Sequence, residues 1–250
     1  MTVALPFALA AALAAPAVKP KPLPAPRRDT GFALTLCGGV AAVPLSWQAP
    51  ASWTLNAETA RLEGSQEASL GPVAEAAVSF RFARRFGIAA AFEWARRDGS
   101  AEIEAELPHP LYLARPRSVR GTTAGLGYRQ LASHLDLEWR PVRGKLELAL
   151  FAGPSFLRVD ADLVESVTAN EAYPYDEAVF AAAQTTPSRS ASSLGWNAGA
   201  GLAGAIASKL DLGLQARYSR VKPELEAPGG GSLTLTAGGL EITAFLRLHF

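Results

Sequence analysis

The sequence predicts one all-β domain, an up-and-down antiparallel transmembrane β-barrel of about eight strands. Three observations support this fold class. Segments in which every second residue is apolar recur along the chain, as expected of strands with two different faces. Their connections alternate between short turns and long loops, the arrangement of membrane barrels. On the face opposite the apolar residues, charged side chains are mixed with many glycines and alanines, which leave room for long side chains inside a narrow barrel.

The first 30 residues precede the predicted barrel. Residues 3–15 form an Ala-rich apolar run of the length of a signal-peptide core, and Ala12-Leu13-Ala14 fits a cleavage site. We therefore expect a signal peptide over residues 1–14, although no Lys or Arg precedes the run; a buried N-terminal helix is the alternative. The Pro-rich residues 15–30 predict an extended leader, and residues 31–250 form the barrel domain.

The alternation predicts the strands one by one. The first carries Phe32, Leu34 and Leu36 on one face and Thr35 and Cys37 on the other. The other strands repeat this pattern, and the full set covers residues 31–40, 70–82, 88–94, 125–140, 145–159, 194–206, 212–218 and 239–250. Short turns are predicted at residues 83–86, 141–144 and 207–210. Long loops are predicted at residues 41–69, 98–121, 160–193 and 221–231, the first with strand extensions as an alternative.

The closing strand carries the clearest pattern. Its apolar positions are Leu240, Ile242, Ala244, Leu246, Leu248 and Phe250. Together with the eight-strand pattern, this strand resembles those of small bacterial outer-membrane β-barrels of the OmpA-like and OmpX-like type. The resemblance implies location in the outer membrane, with the short turns in the periplasm. It also implies that Phe250 is part of the signal read by the barrel assembly machinery.

A soluble lipocalin-like barrel would also alternate, with its apolar face inward. The long loops, however, segregate to one end, and aromatic residues cluster at two levels of the apolar face. Both features favour a barrel in lipid with two aromatic girdles. The residues assigned to the girdles are Phe32, Phe82, Trp139 and Phe250 near the turns, and Trp94, Phe156, Trp196 and Tyr218 near the loops.

The face opposite the apolar one is predicted to line the lumen. Both signs of charge occur there, and a buried charge needs a partner. We therefore expect a packed ion-pair network; a narrow path for ions or small solutes is the alternative. The residues assigned to this network are Glu75, Arg81, Glu93, His134, Asp136, Glu138, Lys145, Glu147, Arg217, Glu241 and Arg247, and Asp211 and Gln215 share the same face.

The sequence offers little support for catalysis, cofactors or metals. Of the three histidines, His134 shares a face with Asp136, but no nearby serine is suggested, so we expect no hydrolase site. The acidic residues between Asp160 and Glu177 lack the spacing of a calcium-binding loop, and we predict no cofactor and no metal. Cys37 is interpreted as a small inward-facing filler. A lipid-modifying enzyme remains the least favoured function, after a structural or surface-interaction role and a channel.

Arg129 lies in register with the apolar face of its strand but at the loop end. Such a position suits an arginine that reaches lipid phosphate; the alternative is that Arg129 lies above the membrane in an extended strand and meets water. Arg115, Arg117 and Arg120 are candidates to extend a basic rim. The expected partners are therefore outer-membrane lipid, lipopolysaccharide and the assembly machinery. A net charge of +1 gives no basic footprint for nucleic acid, and we expect a monomer.

Overall fold

The structure is a computed structural model that describes residues 31–250; the predicted signal peptide and leader lie outside the described residues. Within this range, no helix is long and apolar enough to cross a bilayer. The described chain is built from antiparallel β-strands. They are β1 (Gly31–Ala41), β2 (Leu45–Gln48), β3 (Ala51–Leu55), β4 (Glu58–Ala68), β5 (Gly71–Arg81), β6 (Phe86–Leu107), β7 (Arg117–Val142), β8 (Leu146–Glu171), β9 (Ala178–Ala207), β10 (Leu210–Val221), β11 (Glu224–Glu226), β12 (Ser232–Thr234) and β13 (Ala237–His249).

Eight of these strands form a ring. Each of β5 to β10 pairs with its neighbour in the chain, β1 pairs with β5, and β13 joins β10 to β1. All of these pairings are antiparallel, so the predicted up-and-down architecture of eight strands is confirmed. Short turns connect the strands at one end of the ring, which we call the turn end. The other end, where longer hairpins leave the barrel, is called the hairpin end.

The prediction of long irregular loops at the hairpin end was wrong. Residues 98–121 and 160–193 are mostly strand, since only residues 108–116 and 172–177 lie between β6 and β7 and between β8 and β9. Residues 41–69 hold the short strands β2 and β3 and the 11-residue β4, so the alternative of strand extensions holds there. The strands β11 and β12 form a small hairpin before β13. The period-two pattern continues through β4 and the far part of β6, but with polar residues such as Glu and Ser on the exposed face instead of apolar residues.

The extensions build a second layer beyond the barrel, which we call the distal sheet (residues 45–68, 98–125 and 160–190). β4 pairs with the far part of β6, and both β2 and β3 pair with β4. The sheet curves around an apolar core that includes Leu62, Ile103, Leu107, Val119 and Val164. Its outer surface is polar, as in a water-soluble protein.

The barrel itself has the opposite arrangement. Its outward positions are exposed apolar side chains, which form a continuous band around the ring. Examples are Phe86, Ile88, Phe92, Leu135, Leu137, Leu202, Leu212, Leu214, Ile242 and Leu246. A monomeric protein in water rarely leaves so large an apolar surface uncovered.

Candidate functional site: a filled lumen and its rim

The inward positions of the barrel carry most of its charge. Ten of the eleven residues assigned to the predicted ion-pair network are buried: Glu75, Arg81, Glu93, His134, Asp136, Glu138, Glu147, Arg217, Glu241 and Arg247. Lys145 is the exception and a correction, because it lies exposed in the turn before β8, which begins at Leu146. Asp211 and Gln215, on the same face as Arg217, are buried as well.

The middle of the lumen is organised by Arg217 of β10. Its Nη2 lies 3.1 Å from Glu75 Oε2 and its Nη1 2.8 Å from Asp136 Oδ2. The same Nη1 donates to Asn197 Oδ1 at 2.8 Å. Its guanidinium also stands over the Phe151 ring, 4.8 Å from the centroid. One cation therefore bridges carboxylates from strands on different sides of the barrel.

Glycine makes room for the aromatic ring beneath that cation. A Cβ on Gly199 would lie 2.3 Å from the Cζ atom of Phe151, which is closer than real contacts allow. Gly213 stands in the same relation to Phe245, whose ring lies under Arg247 at 4.9 Å. The small residues predicted to accommodate charges thus accommodate the rings that support two of them.

A second layer lies toward the turn end. Arg247 Nη1 lies 3.1 Å from Glu147 Oε1, and Arg140 Nη1 lies 3.4 Å from that same oxygen. Arg140 also forms a salt bridge with Glu138. Beside them, His249 Nε2 lies 2.7 Å from Asp211 Oδ2. This layer closes the barrel next to the short turns.

A third layer lies toward the hairpin end and contains a serine that the sequence did not suggest. His134 Nδ1 lies 2.7 Å from Ser155 Oγ, and its Nε2 lies 3.3 Å from Glu93 Oε2. Ser155 stands directly opposite His134 in the β7–β8 ladder. Gln130 Nε2 donates to Glu93 at 2.9 Å, and Asn197 Nδ2 donates to Ser155 at 3.0 Å. The sequence suggested no serine near His134, and the structure places Ser155 there.

This Ser–His–Glu set is enclosed. Ser155 and Glu93 have no exposed surface, and His134 is 3% exposed. A cavity nearby in the lumen, lined by Glu75, Asp136 and other inward residues, has a volume of about 20 Å³. That is room for about one water molecule. Ser155, His134 and Glu93 thus form a hydrogen-bonded part of the packing of the lumen.

Above this layer the lumen ends in an apolar plug. It includes Trp47, Tyr128, Leu157, Val159, Leu163, Val221, Leu225, Leu233 and Leu235, contributed by barrel strands, by β2 and by the β11–β12 segment. Arg97 borders the plug and donates to the carbonyl oxygens of Val43 at 2.7 Å and Gly238 at 3.1 Å. These bonds fasten the segment after β1 and the start of β13 across the top of the barrel.

Sequence reasoning missed Arg97 and Arg140. Arg140 lies two residues after Glu138 and therefore on the same inward face, so the alternation could have predicted it. The adjacent Pro141, however, indicated that the strand ends there. Arg97 lies beyond the residue at which the third strand was predicted to end. Both side chains are buried.

All eight residues assigned to the aromatic girdles are exposed on the outside of the barrel: Phe32, Phe82, Trp94, Trp139, Phe156, Trp196, Tyr218 and Phe250. Trp196 and Tyr218 lie against each other on β9 and β10, with ring centroids 5.6 Å apart. Their position at the edges of an apolar band is the one that amphipathic rings take at a membrane interface.

Arg129 is exposed at the hairpin-end edge of this band, and its contact with lipid phosphate stays a prediction. The three arginines offered as an extension of the rim lie elsewhere. Arg117 is buried and lies 2.7 Å from Glu171, Arg115 lies 3.1 Å from Asp176, and Arg120 forms a salt bridge with Glu104. They belong to the distal sheet and its hairpin tips. Among the described residues, no three His, Cys, Asp or Glu side chains are grouped as metal ligands.

A closed ring of strands with an apolar outer surface and a charged, hydrogen-bonded interior has the architecture of a membrane-spanning β-barrel. No protein-family model matches the chain, and no curated protein matches it. Similar solved structures include the outer-membrane protein OprG from Pseudomonas aeruginosa (11% identity, 88% of this chain and 97% of that one, TM-score 0.45). A major outer-membrane protein from Thermus thermophilus is similar too (14% identity, 89% and 100%, TM-score 0.42). So is the outer-membrane protease OmpT from Escherichia coli (9% identity, 88% and 97%, TM-score 0.46).

Proposed function

We propose that the protein is a bacterial outer-membrane barrel with a closed lumen, and that its role is structural or one of surface interaction through the hairpins. The observation that carries this proposal is the filling of the lumen. Two layers of paired charges and one hydrogen-bonded layer occupy the barrel, and an apolar plug covers them at the hairpin end. An interior packed in this way stabilises the barrel and leaves the exposed hairpins to meet partners.

The hairpin tips support the second half of the proposal. Leu111, Tyr112, Leu113, Tyr173 and Val179 are exposed there, although the distal sheet beneath them is polar outside. A buried arginine, Arg117, holds the two tips together by donating to the carbonyl oxygens of Pro108 at 2.9 Å and Tyr175 at 3.0 Å. An apolar patch on a fixed base is typical of a protein contact surface.

A membrane-impermeant thiol reagent on intact cells tests location and orientation. Tyr173→Cys, at a hairpin tip, should be labelled without any treatment. Lys145→Cys, in an exposed turn at the opposite end, should be labelled only after the outer membrane is permeabilised. The native Cys37 is buried and serves as the unlabelled background. Labelling of Lys145→Cys on intact cells would contradict the proposed orientation. If neither variant is labelled in permeabilised cells, the exposure of the two positions is contradicted.

A narrow channel is the second candidate, because the lumen is polar from the turn end up to the apolar plug. Conductance of the purified protein in planar bilayers separates the two. Folding is checked first by the shift in gel migration on boiling, so that an absence of conductance cannot be due to misfolded protein. The closed-lumen proposal predicts no steady conductance, and a stable open level from folded protein would replace it with the channel.

We further propose that the protein is not an enzyme, despite the Ser155–His134–Glu93 contact. Expression of the parent and of Ser155→Ala should leave the mass of lipopolysaccharide the same as in cells without the protein. A mass change that appears with the parent and disappears with Ser155→Ala would show that the serine reaches a lipid substrate.

A further inference from the structure

Two arginines face outward side by side at the top of the apolar band. Arg96 of β6 and Arg129 of β7 are direct cross-strand partners, and both are exposed. Like charges directly opposite each other destabilise a sheet. Within residues 31–250, neither arginine takes part in a salt bridge, whereas Arg115, Arg120 and Arg158 do. No ion pair in the described chain therefore offsets this repulsion directly.

Two carboxylates that line a cleft beside the pair are engaged with other groups, and Asp98 lies on the same face as Arg96, two residues further along β6. Asp160 is the cross-strand partner of Arg129 on its other side, but its Oδ1 lies 3.4 Å from Arg158 Nε and also accepts from the Ser190 hydroxyl. Asp162 Oδ2 accepts from the backbone N–H of Gly127 at 2.7 Å. Between these carboxylates and the two arginines lies an open cleft of about 310 Å³.

The depth of the pair indicates what fills the cleft. On β6 the outward residues up to Trp94 are apolar, whereas those that follow Arg96 are Asp98, Ser100 and Glu102. The arginines thus stand at the level where lipid tails give way to head groups. A guanidinium binds phosphate through two parallel hydrogen bonds, and its stem can lie along apolar surface while its head reaches polar groups.

We propose that Arg96 and Arg129 form a two-arginine clamp for a phosphate group on the head of a lipopolysaccharide molecule. The phosphate neutralises the like-charge pair, and the acyl chains of the same lipid lie along the apolar band below. This clamp rests on the proposed outer-membrane location. The sequence predicted only Arg129 as a ligand of lipid phosphate, and the clamp adds Arg96 on the neighbouring strand.

The test measures binding of lipid A to the full protein folded in a neutral detergent, followed as the rise in unfolding temperature with lipid concentration. The parent is compared with Arg96→Gln, Arg129→Gln and the double variant. Arg120→Gln, which removes an exposed arginine of the distal sheet, is the matched control. Each single variant should bind about tenfold more weakly, the loss expected for one charged hydrogen-bonding partner. The double variant should lose the stabilisation, and Arg120→Gln should match the parent.

Two further ligands identify the source of the phosphate. Dephosphorylated lipid A should give the parent no more stabilisation than it gives the double variant. Inorganic phosphate should not reproduce the stabilisation, because it lacks the acyl chains that lie on the band; equal stabilisation would overturn the lipid assignment in favour of free phosphate. Binding of lipid A to the double variant as tightly as to the parent would overturn the clamp. That outcome would leave thiol labelling and conductance unchanged, so failure of the clamp is distinguishable from failure of the proposed function.

Discussion

The barrel and the distal sheet are built on the same strands but have opposite polarity. On β6, Phe92 faces outward and Glu93 inward within the barrel, whereas Glu104 faces outward and Ile103 inward within the distal sheet. The alternation of side chains is uninterrupted between them, so the faces do not change. What changes is the solvent outside and, with it, the kind of residue that fills the inside.

The two interiors are also stabilised differently. The distal core buries apolar surface, which is favourable in proportion to area. The lumen buries charges, which is costly unless each charge is paired. A substitution that removes a charged partner in the lumen should therefore lower the free energy of unfolding more than a substitution of similar size in the distal sheet.

The largest effect is expected from removing the central cation of the lumen. Arg217→Ala strands Glu75 and Asp136, both buried, and should lower the free energy of unfolding by about 3–5 kcal/mol. Unfolding in urea, followed by gel migration, measures the loss. Arg120→Ala, which breaks an exposed ion pair of the distal sheet, is the control and should cost only about 0–1 kcal/mol. If the two losses are equal, the charges of the lumen are as hydrated as an exposed ion pair, and the lumen does not have the buried, paired interior described above.

An intermediate effect is expected on the lipid face. Leu135 and Leu214 are exposed near the middle of the band, and arginine at either position should cost about 2–4 kcal/mol. The control is Trp94→Arg at the upper edge, where the side chain can reach head groups and the loss should be about 0–1 kcal/mol. A denaturant titration of the folded and unfolded fractions in lipid vesicles measures the loss of free energy of unfolding at both depths. Equal tolerance at the two depths would argue that no bilayer surrounds this surface.

The smallest effect is expected at an outward position of the distal sheet. Glu104 is exposed and faces water in our account. Glu104→Leu should change the free energy of unfolding by about 0.5 kcal/mol or less. Glu104→Gln, which removes the charge at nearly constant size, isolates the ion pair with Arg120. A gain of stability from the leucine in lipid vesicles, absent in detergent, would show that the bilayer extends to this level.

The alternation predicted the barrel because it is a local property of each strand. Eight strands, the inward charges and the exposed girdles all follow from the parity of residues along the chain. The strands of the distal sheet were not predicted, because an outward apolar face was required of each strand. Such a face exists only where a strand contacts lipid. The segment from Asp98 to Leu107 alternates as regularly as the barrel part of β6, but its apolar residues point inward.

The contacts across the barrel could not be predicted in the same way. Parity places Ser155 and His134 inward, but their meeting depends on the register between β7 and β8. The same holds for Arg96 and Arg129, which become neighbours only through the pairing of β6 with β7. Register is fixed by turns, bulges and the packing of the whole ring.

The reversal of polarity along one strand is the central claim, and spin labels on β6 test it most directly. Labels are placed one at a time at the outward positions Ile88, Phe92, Arg96, Ser100 and Glu104, and the protein is folded into lipid vesicles. Accessibility to oxygen, which concentrates in lipid, is compared with accessibility to a water-soluble nickel complex. We predict that oxygen dominates at Ile88 and Phe92, that the two are balanced at Arg96, and that nickel dominates at Ser100 and Glu104. A uniform ratio along the strand would contradict the account.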